Sequence, residues 1–318
     1  MFCIERKSEN GFEKVILKDQ DSLTYLEIVP ECGAILHAFN VVSNNKFLNV
    51  IQSYKNADEF HEIAEERGFL GCKLSPFVCR IKQGIYRFGG NEYQIRKYYS
   101  GGSALHGLLY DQPFIVGWEE AHESGAMIRM MCQYRGSDEG YPFNYDCIVT
   151  YELEKDNKVN VITEVVNRDE GLIPIQDGWH PYFSLGSTID ELQLEFQSKE
   201  LLRFDDGLIP TGELVSYEEF SSIKKIGDTV FDNCFTLNFA ECQPMCVLRD
   251  PGKKIEIEIH PDKSYPYLQL YTPVSRNCIA IENLSSAPDA FNNGLGKLIL
   301  ETGESAIFKT SYKINLLN

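Results

Sequence analysis

Lys254-Ile255-Glu256-Ile257-Glu258-Ile259-His260 alternates apolar and polar residues without a break. Successive side chains of a β-strand point to opposite faces of a sheet, so this stretch predicts a strand with one buried and one solvated face. The C-terminal segment 308–316 alternates in the same way, with aromatic and aliphatic residues on one side and lysine, serine and asparagine on the other. The second half of the chain is therefore predicted to be built from antiparallel strands.

Strand-like segments continue from this stretch to the N-terminal end. A turn at Ser43-Asn44-Asn45-Lys46 and a second turn at Gly89-Gly90 each predict a β-hairpin. Further predicted strands are 24–29, 33–41, 114–119, 126–135, 146–154 and 158–167. The one predicted helix is 56–67, where Asn56 is a suitable N-cap. The pattern predicts an all-β chain with very little helix, folded as one large antiparallel sandwich or barrel-like domain over residues 1–318.

Composition excludes several classes of function. The chain has 318 residues, 43% hydrophobic and 24% charged, and a formal net charge of -17. Such a charge disfavours nucleic acid and anionic membranes as partners. No apolar run reaches the roughly 18 residues of a membrane span, and the first residues lack the apolar core of a signal peptide. The sequence therefore predicts a cytoplasmic protein that binds neither nucleic acid nor membrane.

The ten cysteines are scattered along the chain. A chain of this length without an export signal does not need a disulfide framework, so most of them are expected to be reduced. Cys242 and Cys246 form the closest pair, but no second Cys or His pair follows at the spacing of a zinc ribbon. No metal site is predicted.

The segment Gln176-Asp177-Gly178-Trp179-His180-Pro181-Tyr182-Phe183-Ser184-Leu185 is the first candidate for a functional site. Glycine and proline beside the histidine predict a strand end or loop edge. Aromatic rings at such a place can form a pocket floor, and imidazole, with an ordinary pKa of about 6.5, exchanges protons near neutral pH. The alternative is a structural histidine, hydrogen-bonded within an aromatic cluster.

Four other residues have unusual surroundings. Arg80 lies in an apolar strand-like run, His106 in a glycine-rich loop, Glu282 at the end of an apolar strand and Asp232 beside aromatic residues. A structural ion pair is the alternative interpretation for Arg80. Together with His180 these residues predict a sugar site, where aromatic faces pack on C–H groups and polar groups bind hydroxyls.

These residues occur within motifs that resemble the aldose 1-epimerase family, also called galactose mutarotases. The motifs follow the family's order from about residue 20 to the C-terminal end. They are 76–81 with the hairpin that follows, Leu105-His106-Gly107, Asp138-Glu139-Gly140-Tyr141-Pro142, His180-Pro181-Tyr182-Phe183, Asp232, Glu282, and Pro288-Asp289-Ala290-Phe291-Asn292.

The resemblance implies a β-supersandwich that interconverts the α and β anomers of an aldose. It implies that Glu282 is the general base, that His180 is the general acid and that His106 binds near the ring oxygen. Arg80 and Asp232 would hold sugar hydroxyls. The implied partner is a monosaccharide, without a metal, nucleotide or covalent intermediate, and a monomer or homodimer is expected.

Departures from the family pattern leave the preferred sugar open. Leu108 and Asn283 differ from the residues usual in the family, as does Trp179, which is predicted to bind substrate by narrowing the pocket or by offering a stacking face. Two alternatives remain. A locally basic stretch suggests a hexose phosphate as substrate, and a non-catalytic sugar-binding or sensing module would use the same fold. The basic stretch consists of Lys73, Arg80, Lys82, Arg87, Arg96 and Lys97.

Overall fold

The computed structural model describes residues 1–317, and strands dominate it. All of the strand pairs formed by these residues are antiparallel, and one isolated bridge, between Ser75 and Gly107, is parallel. The helices are α1 (Ala57–Ile63), α2 (Ala290–Asn293) and a 3₁₀ turn, Ile189–Glu191. The all-β fold class with very little helix is therefore confirmed.

The strands up to residue 167 are β1 (Phe2–Glu9), β2 (Phe12–Asp19), β3 (Tyr25–Val29), β4 (Ile35–Ser43), β5 (Lys46–Asn49), β6 (Ile51–Gln52), β7 (Lys73–Leu74), β8 (Arg80–Lys82), β9 (Ile85–Phe88), β10 (Asn91–Gln94), β11 (Tyr99–Ser100), β12 (Ser103–Leu105), β13 (Ile115–Ala121), β14 (Gly125–Arg135), β15 (Asn144–Glu154) and β16 (Lys158–Asn167).

The strands that follow are β17 (Ile173–Ile175), β18 (Gly178–Trp179), β19 (Tyr182–Phe183), β20 (Gln193–Phe196), β21 (Glu200–Phe204), β22 (Pro210–Ser216), β23 (Lys224–Lys225), β24 (Asp232–Thr236), β25 (Cys246–Asp250), β26 (Ile255–Ile259), β27 (Tyr267–Tyr271), β28 (Ile279–Leu284), β29 (Leu298–Leu300) and β30 (Ser305–Leu316).

Two nine-stranded sheets form the main layers. Sheet I has the order β13-β14-β15-β16-β30-β26-β25-β20-β23. Sheet II has the order β22-β21-β24-β27-β28-β18-β7, and β19 joins it beside β28 and carries β6. Strands β1 to β5 form a separate five-stranded meander.

The core lies between one face of sheet I and one face of sheet II. The same apolar cluster contains Tyr151 and Tyr312 of sheet I and Trp179 of sheet II. Polar side chains also cross between the layers: Trp179 Nε1 donates to Thr163 Oγ1 at 3.3 Å, and Thr310 Oγ1 donates to Asn283 Oδ1 at 2.7 Å. Because one face of sheet II is buried in this core, a site for solutes must lie on its other face.

The alternating stretch that predicted strands forms β26. Its three isoleucines are fully buried, as predicted, but Glu256 on the opposite face is also buried. Arg249 Nε donates to Glu256 Oε2 at 2.7 Å, and Asn315 Nδ2 donates to its Oε1 at 3.1 Å. Glu256 is therefore covered by partners on the neighbouring strands rather than by water.

The two predicted hairpins are present. Ser43 pairs with Lys46 across Asn44 and Asn45, and Gly89 and Gly90 have φ angles of 58° and 83° between β9 and β10. Positive φ at both central residues matches the right-handed twist of the paired strands.

The predicted helix 56–67 is partly correct. Asn56 caps it, because its side chain accepts from Glu59 N, but the regular α-helix ends at Ile63. Hydrogen-bonded turns continue to Gly68, where Gly68 N donates to Glu65 O and Phe69 N donates to Ala64 O. This pair of bonds around a glycine with φ 83° is the Schellman arrangement that closes helices.

The ten cysteines are free thiols, as expected for most of them. Among residues 1–317, no helix has the length and apolarity needed to cross a membrane.

A buried ion pair fixes the edge of sheet II. Lys73 Nζ lies 2.5 Å from Asp177 Oδ2, both side chains are fully buried, and Nζ also donates to Gly178 O at 3.1 Å. Asp177 Oδ1 accepts from Tyr265 OH at 2.6 Å. The pair joins β7 to the residue that precedes β18, three positions before His180. It therefore helps to hold the strand that presents this histidine.

Replacing Lys73 tests this role. Lys73→Met leaves the Asp177 carboxylate buried without its cation, and we expect a loss of about 3–5 kcal/mol in the free energy of unfolding. Adding Asp177→Asn removes the uncompensated charge and should restore part of that loss. Urea denaturation of the wild type and both variants measures the effect. A loss below about 1 kcal/mol in Lys73→Met would contradict the assigned role.

Candidate active site

The register of sheet II places His180 opposite Glu282. Gly178 of β18 pairs with Leu284 of β28, and the same register resumes between β19 and β28. His180 lies between β18 and β19 and therefore faces Glu282 across the strand pair. The distance from His180 Nε2 to Glu282 Oε1 is 3.3 Å, and the side chains are 6% and 2% exposed.

On its other side, β28 pairs with β27, and β27 and its neighbour β24 each bring one further polar group to the same face. Gln269 pairs with Glu282 in this register, and Asp232 of β24 pairs with Tyr271. Gln269 Nε2 donates to Asp232 Oδ1 at 3.0 Å. Because residues two apart on a strand share a face, His180, Glu282, Gln269 and Asp232 form one polar surface.

This surface is the floor of a cavity of about 360 Å³. The cavity is lined by Glu65, Glu66, Gly68, Phe69, Cys79, Arg80, Tyr98, Ser100, Leu105, His106, His180, Tyr182, Phe204, Leu208, Asp232, Gln269, Tyr271, Glu282 and Pro288. Five of the six site residues predicted from the sequence therefore meet in one place: Arg80, His106, His180, Asp232 and Glu282.

His106 reaches the cavity through an unusual backbone. Its φ is 59° and that of Cys79 is 47°, and His106 N donates to Cys79 O at 2.8 Å. The next residue must be glycine, because a Cβ at Gly107 would collide with the Ser75 backbone. The His106 ring then lies edge-on to that of His180, with centroids 4.9 Å apart. Non-glycine residues with positive φ are strained and are often found at functional sites.

Arg80 is held by its backbone rather than by an ion pair. Asp289 N donates to Arg80 O at 2.7 Å, and Asp289 Oδ1 accepts from Lys82 N at 3.0 Å, so residues 288–292 fix strand β8. The guanidinium itself makes one long hydrogen bond, to Ser100 O at 3.5 Å, and no ion pair with a carboxylate of residues 1–317. The structural pairing considered for Arg80 is not found, so most of its donors remain free.

Burial changes the pKa values of Glu282 and of the two histidines beside it. Desolvation raises the pKa of Glu282 well above its ordinary value, and the charge of Asp232 adds to this. Desolvation lowers the pKa of His180 to about 4. The pKa of His106 is also lowered, by burial first and then by the nearby His180 and Arg80. Both members of the His180–Glu282 pair therefore favour their neutral forms, in which the carboxyl carries the proton.

Several buried polar atoms at this site have no hydrogen-bond partner. They are His106 Nδ1, His180 Nδ1, Gln269 Oε1 and Glu282 Oε2. Buried polar atoms in folded proteins are nearly always paired, so a cluster of exceptions beside a cavity fits a site that a polar ligand completes.

Trp179 is not part of this site, and the prediction that it binds substrate is wrong. Its side chain points to the opposite face of sheet II from His180, because neighbouring residues on a strand alternate. It is 3% exposed, donates to Thr163 and lies beneath Lys73 Nζ, which is 4.5 Å from the ring centroid. Trp179 is therefore a core residue between the two large sheets.

The sequence interpretation missed several lining residues. Tyr182 packs parallel to the His180 ring at 5.0 Å, and Gln269 and Tyr271 come from the same strand face. The sequence did contain a signal for Gln269 and Tyr271, because polar and apolar residues alternate over 267–271, as in a strand. That strand pairs with the one that carries Glu282. Glu65 and Glu66 follow α1, and nothing in their local sequence indicates a cavity.

Asp138 of the Asp-Glu-Gly-Tyr-Pro motif has a structural role, because it hydrogen-bonds to the backbone of two segments. Its carboxylate accepts from the backbone of Arg96, Lys97 and Gly140. Among residues 1–317, no three His, Cys, Asp or Glu side chains are arranged to hold a metal ion.

Comparison with known proteins of similar sequence and fold places the chain in a family. The sequence matches the family model for aldose 1-epimerase over residues 17–313. YihR of Escherichia coli (strain K12) is 28% identical over 244 residues, which are 74% of this chain and 76% of that protein. The aldose 1-epimerase of Streptococcus thermophilus is 21% identical, with 88% of each chain covered.

Among solved structures, a galactose mutarotase-like protein from Clostridium acetobutylicum matches with a TM-score of 0.88 over 99% of both chains, at 16% identity. The two large sheets described above are thus the β-supersandwich of galactose mutarotase-like proteins. With the family model matched across nearly the whole sequence, the chain belongs to the aldose 1-epimerase family.

Proposed function

We propose that this protein is a mutarotase that interconverts the α and β anomers of a free, neutral aldose. The observation that carries the proposal is the buried His180–Glu282 pair, 3.3 Å apart on one face of sheet II, beside unpartnered polar atoms. Anomer interconversion needs a base for the C1 hydroxyl and an acid for the ring oxygen, both within reach of one sugar ring.

The reaction needs one proton to be removed and one to be supplied in each half, and His180 and Glu282 together can do both. When Glu282 is ionised and His180 protonated, the carboxylate takes the proton of the C1 hydroxyl and the imidazolium protonates the ring oxygen. The bond between C1 and the ring oxygen breaks, and C1 becomes an aldehyde carbonyl. Rotation about the C1–C2 bond and the reverse transfers close the other anomer. The pair holds one exchangeable proton before and after each half of the reaction.

Burial makes this exchange accessible in both directions. In water, glutamate and histidine would strongly favour the ionised form of the pair, whereas burial raises one pKa and lowers the other. The two forms of the pair are thereby brought closer in free energy. Transfer in the opening step and its reversal in the closing step then have comparable driving forces.

Other residues of the cavity would orient the sugar at the acid/base pair. The free donors of Arg80, the Asp232 carboxylate and Gln269 Oε1 surround the acid/base pair and are suited to sugar hydroxyls. His106, whose ring lies 4.9 Å from that of His180, would donate near the ring oxygen. Tyr182 and Tyr271 offer ring faces and edges for the C–H surface of a pyranose.

A hexose phosphate is a weaker candidate because the basic stretch is neutralised. Of its six cations only Arg80 lines the cavity. Each of the other five lies beside a carboxylate: Lys73 with Asp177, Lys82 with Asp205, Arg87 with Glu92, Arg96 with Glu139 and Lys97 with Asp111. A phosphate in the cavity would instead meet the carboxylates of Glu65, Glu66 and Asp232.

A sugar-binding module without turnover is the other alternative. Binding a neutral sugar does not require a buried carboxyl and imidazole in contact, and such a pair is costly to bury. The presence of that pair at the cavity floor favours an enzyme.

Removing the base should abolish most of the activity. Glu282→Gln keeps the size of the side chain but cannot accept the proton, so we expect kcat to fall by roughly 10²- to 10⁴-fold. The optical rotation of freshly dissolved α-glucose and α-galactose gives the rate. Glu62→Gln, an exposed position on α1 outside the cavity, is the control and should match the wild type. Equal rates for Glu282→Gln and Glu62→Gln would refute the assigned base.

The pH profile should report the shared proton. Below about pH 4, His180 gains a proton while Glu282 keeps its own, and the base is lost. Above the raised pKa of Glu282 the pair loses its last proton, and the acid is lost. We therefore expect kcat/KM to be flat through neutral pH, falling on the acid side at about 4 and on the basic side well above the ordinary glutamate value. A single transition at about 6.5, the ordinary histidine value, would contradict this account.

The charge of the cavity predicts discrimination against phosphorylated sugars. We expect kcat/KM for glucose 6-phosphate to be at least about tenfold below that for glucose, because each nearby carboxylate repels the phosphate by about 1 kcal/mol in water. Added salt should narrow the difference by screening. An equal or higher value for glucose 6-phosphate would favour the hexose-phosphate alternative.

A further inference from the structure

The rings of His106 and His180 belong to a chain of aromatic contacts that begins and ends at one turn. We propose that the turn Gly68-Phe69 fixes both imidazoles through this chain, so that Phe69 and Tyr182 are positioning residues for the acid/base reaction. The inference rests on the proposed mutarotase function, because the alignment of the imidazoles matters to the rate only if they act on a sugar.

The chain runs from ring to ring and closes on itself. The Phe69 ring lies edge-on to that of His106, with centroids 4.6 Å apart, and the His106 ring lies edge-on to that of His180 at 4.9 Å. Tyr182 stacks on the His180 ring at 5.0 Å, with an angle of 18° between the planes. Tyr182 OH donates to Gly68 O at 3.0 Å, one residue before Phe69. Each imidazole is therefore held between two neighbours of a closed loop.

The ring nitrogens Nδ1 leave the orientation of the two imidazoles to packing. Catalytic histidines are commonly oriented by a hydrogen bond at the ring nitrogen that does not face the reacting group. Within residues 1–317, Nδ1 of His106 and Nδ1 of His180 are buried and have no hydrogen-bond partner. Contacts with the neighbouring rings must then fix the planes of the imidazoles, and both nitrogens stay free for a ligand.

Two consecutive residues with positive φ make the turn. Gly68 has a φ of 83° and Phe69 a φ of 58°. Glycine at 68 leaves room for the phenol, because a Cβ there would lie 2.8 Å from Tyr182 OH. At 69 the left-handed conformation disfavours a bulky side chain, and glycine or asparagine would form the turn more readily. A phenylalanine kept in this conformation with its ring against His106 is typical of backbone strain at a functional site.

The segment 68–72 also holds the main chain of His180. Gly71 N donates to His180 O at 2.9 Å, and His180 N donates to Cys72 O at 3.1 Å. The backbone and the ring of this histidine are thus both fixed relative to the segment that follows α1. Since a displacement of about 1 Å at the reacting groups can cost about 100-fold in rate, the loss of one ring of the chain should slow the chemical step.

Variants at Tyr182 separate positioning from sugar binding. Tyr182→Leu removes the stacked ring, and we expect kcat for mutarotation to fall at least about tenfold while KM changes less than about threefold. Tyr182→Phe keeps the ring and loses only the bond to Gly68, so it should recover most of the lost kcat. A raised KM at unchanged kcat in Tyr182→Leu, or a Tyr182→Phe variant as slow as Tyr182→Leu, would overturn the inference.

Phe69→Leu tests the other end of the chain. It should lower kcat more than it raises KM, as Tyr182→Leu does. Phe220→Leu is the matched control, because Phe220 is fully buried but lies outside the cavity. The control should lower the melting temperature and leave kcat unchanged. Wild-type kcat in both Phe69→Leu and Tyr182→Leu would refute the positioning role and leave the mutarotase function standing, whereas a wild type that accelerates no aldose would refute both.

The double variant tests whether the loop is closed. Because either substitution releases both imidazoles, Phe69→Leu with Tyr182→Leu should lose less kcat than the product of the two single losses. A readout without turnover is the NMR signal of the His180 Cε1 proton. It should move in Phe69→Leu, although Phe69 contacts His106 and not His180 in the chain, and should stay in place in Phe220→Leu. Losses that multiply, or a His180 signal that Phe69→Leu leaves in place, would overturn the closed loop.

Discussion

Antiparallel pairing on both sides of β28 is the constraint on which the site depends. Strands β18 and β19 align His180 with Glu282 from one side, and β27 aligns Gln269 with Glu282 from the other. A slip of one residue in either pairing would turn these side chains into the core and bring apolar ones to the cavity. The buried Lys73–Asp177 pair, the cross-sheet bonds of Trp179 and Asn283, and the packing against sheet I all hold this register.

The same burial that stabilises the fold also adjusts the chemistry. The floor of the cavity is one side of a sheet whose other side is core, so Glu282 and His180 are almost completely desolvated. A lone carboxylate there would be costly, but a carboxyl and an imidazole in contact can share one proton without net charge. The chain is strongly acidic, and Glu65, Glu66 and Asp232 also line the cavity, which is why we propose a neutral rather than an anionic sugar as substrate.

Local sequence patterns predicted the fold class because alternation and turn chemistry act over a few residues, as at Gly89-Gly90 and in β26. They also identified Arg80, His106, His180, Asp232 and Glu282, which the structure brings to one cavity, although their roles remain predictions. Trp179 was predicted to bind substrate because it departs from the family pattern beside His180 and because aromatic rings in the segment 176–185 could form a pocket floor, without applying strand alternation across His180. Lys73 was grouped with a basic stretch because its partner, Asp177, is more than a hundred positions away. Gln269 and Leu208 were not identified, because their positions at the cavity follow from strand pairing and from backbone angles, which composition does not reveal.

We propose that the buried pair on this sheet face interconverts anomers rather than only binding sugar. Magnetisation exchange between the α and β anomeric signals of an aldose already at equilibrium tests it most directly, because binding without ring opening leaves that exchange at the buffer rate. We expect an exchange rate that rises in proportion to wild-type enzyme and returns to the buffer rate in His180→Gln. An unchanged exchange rate with folded wild-type protein, across neutral aldoses, would contradict it.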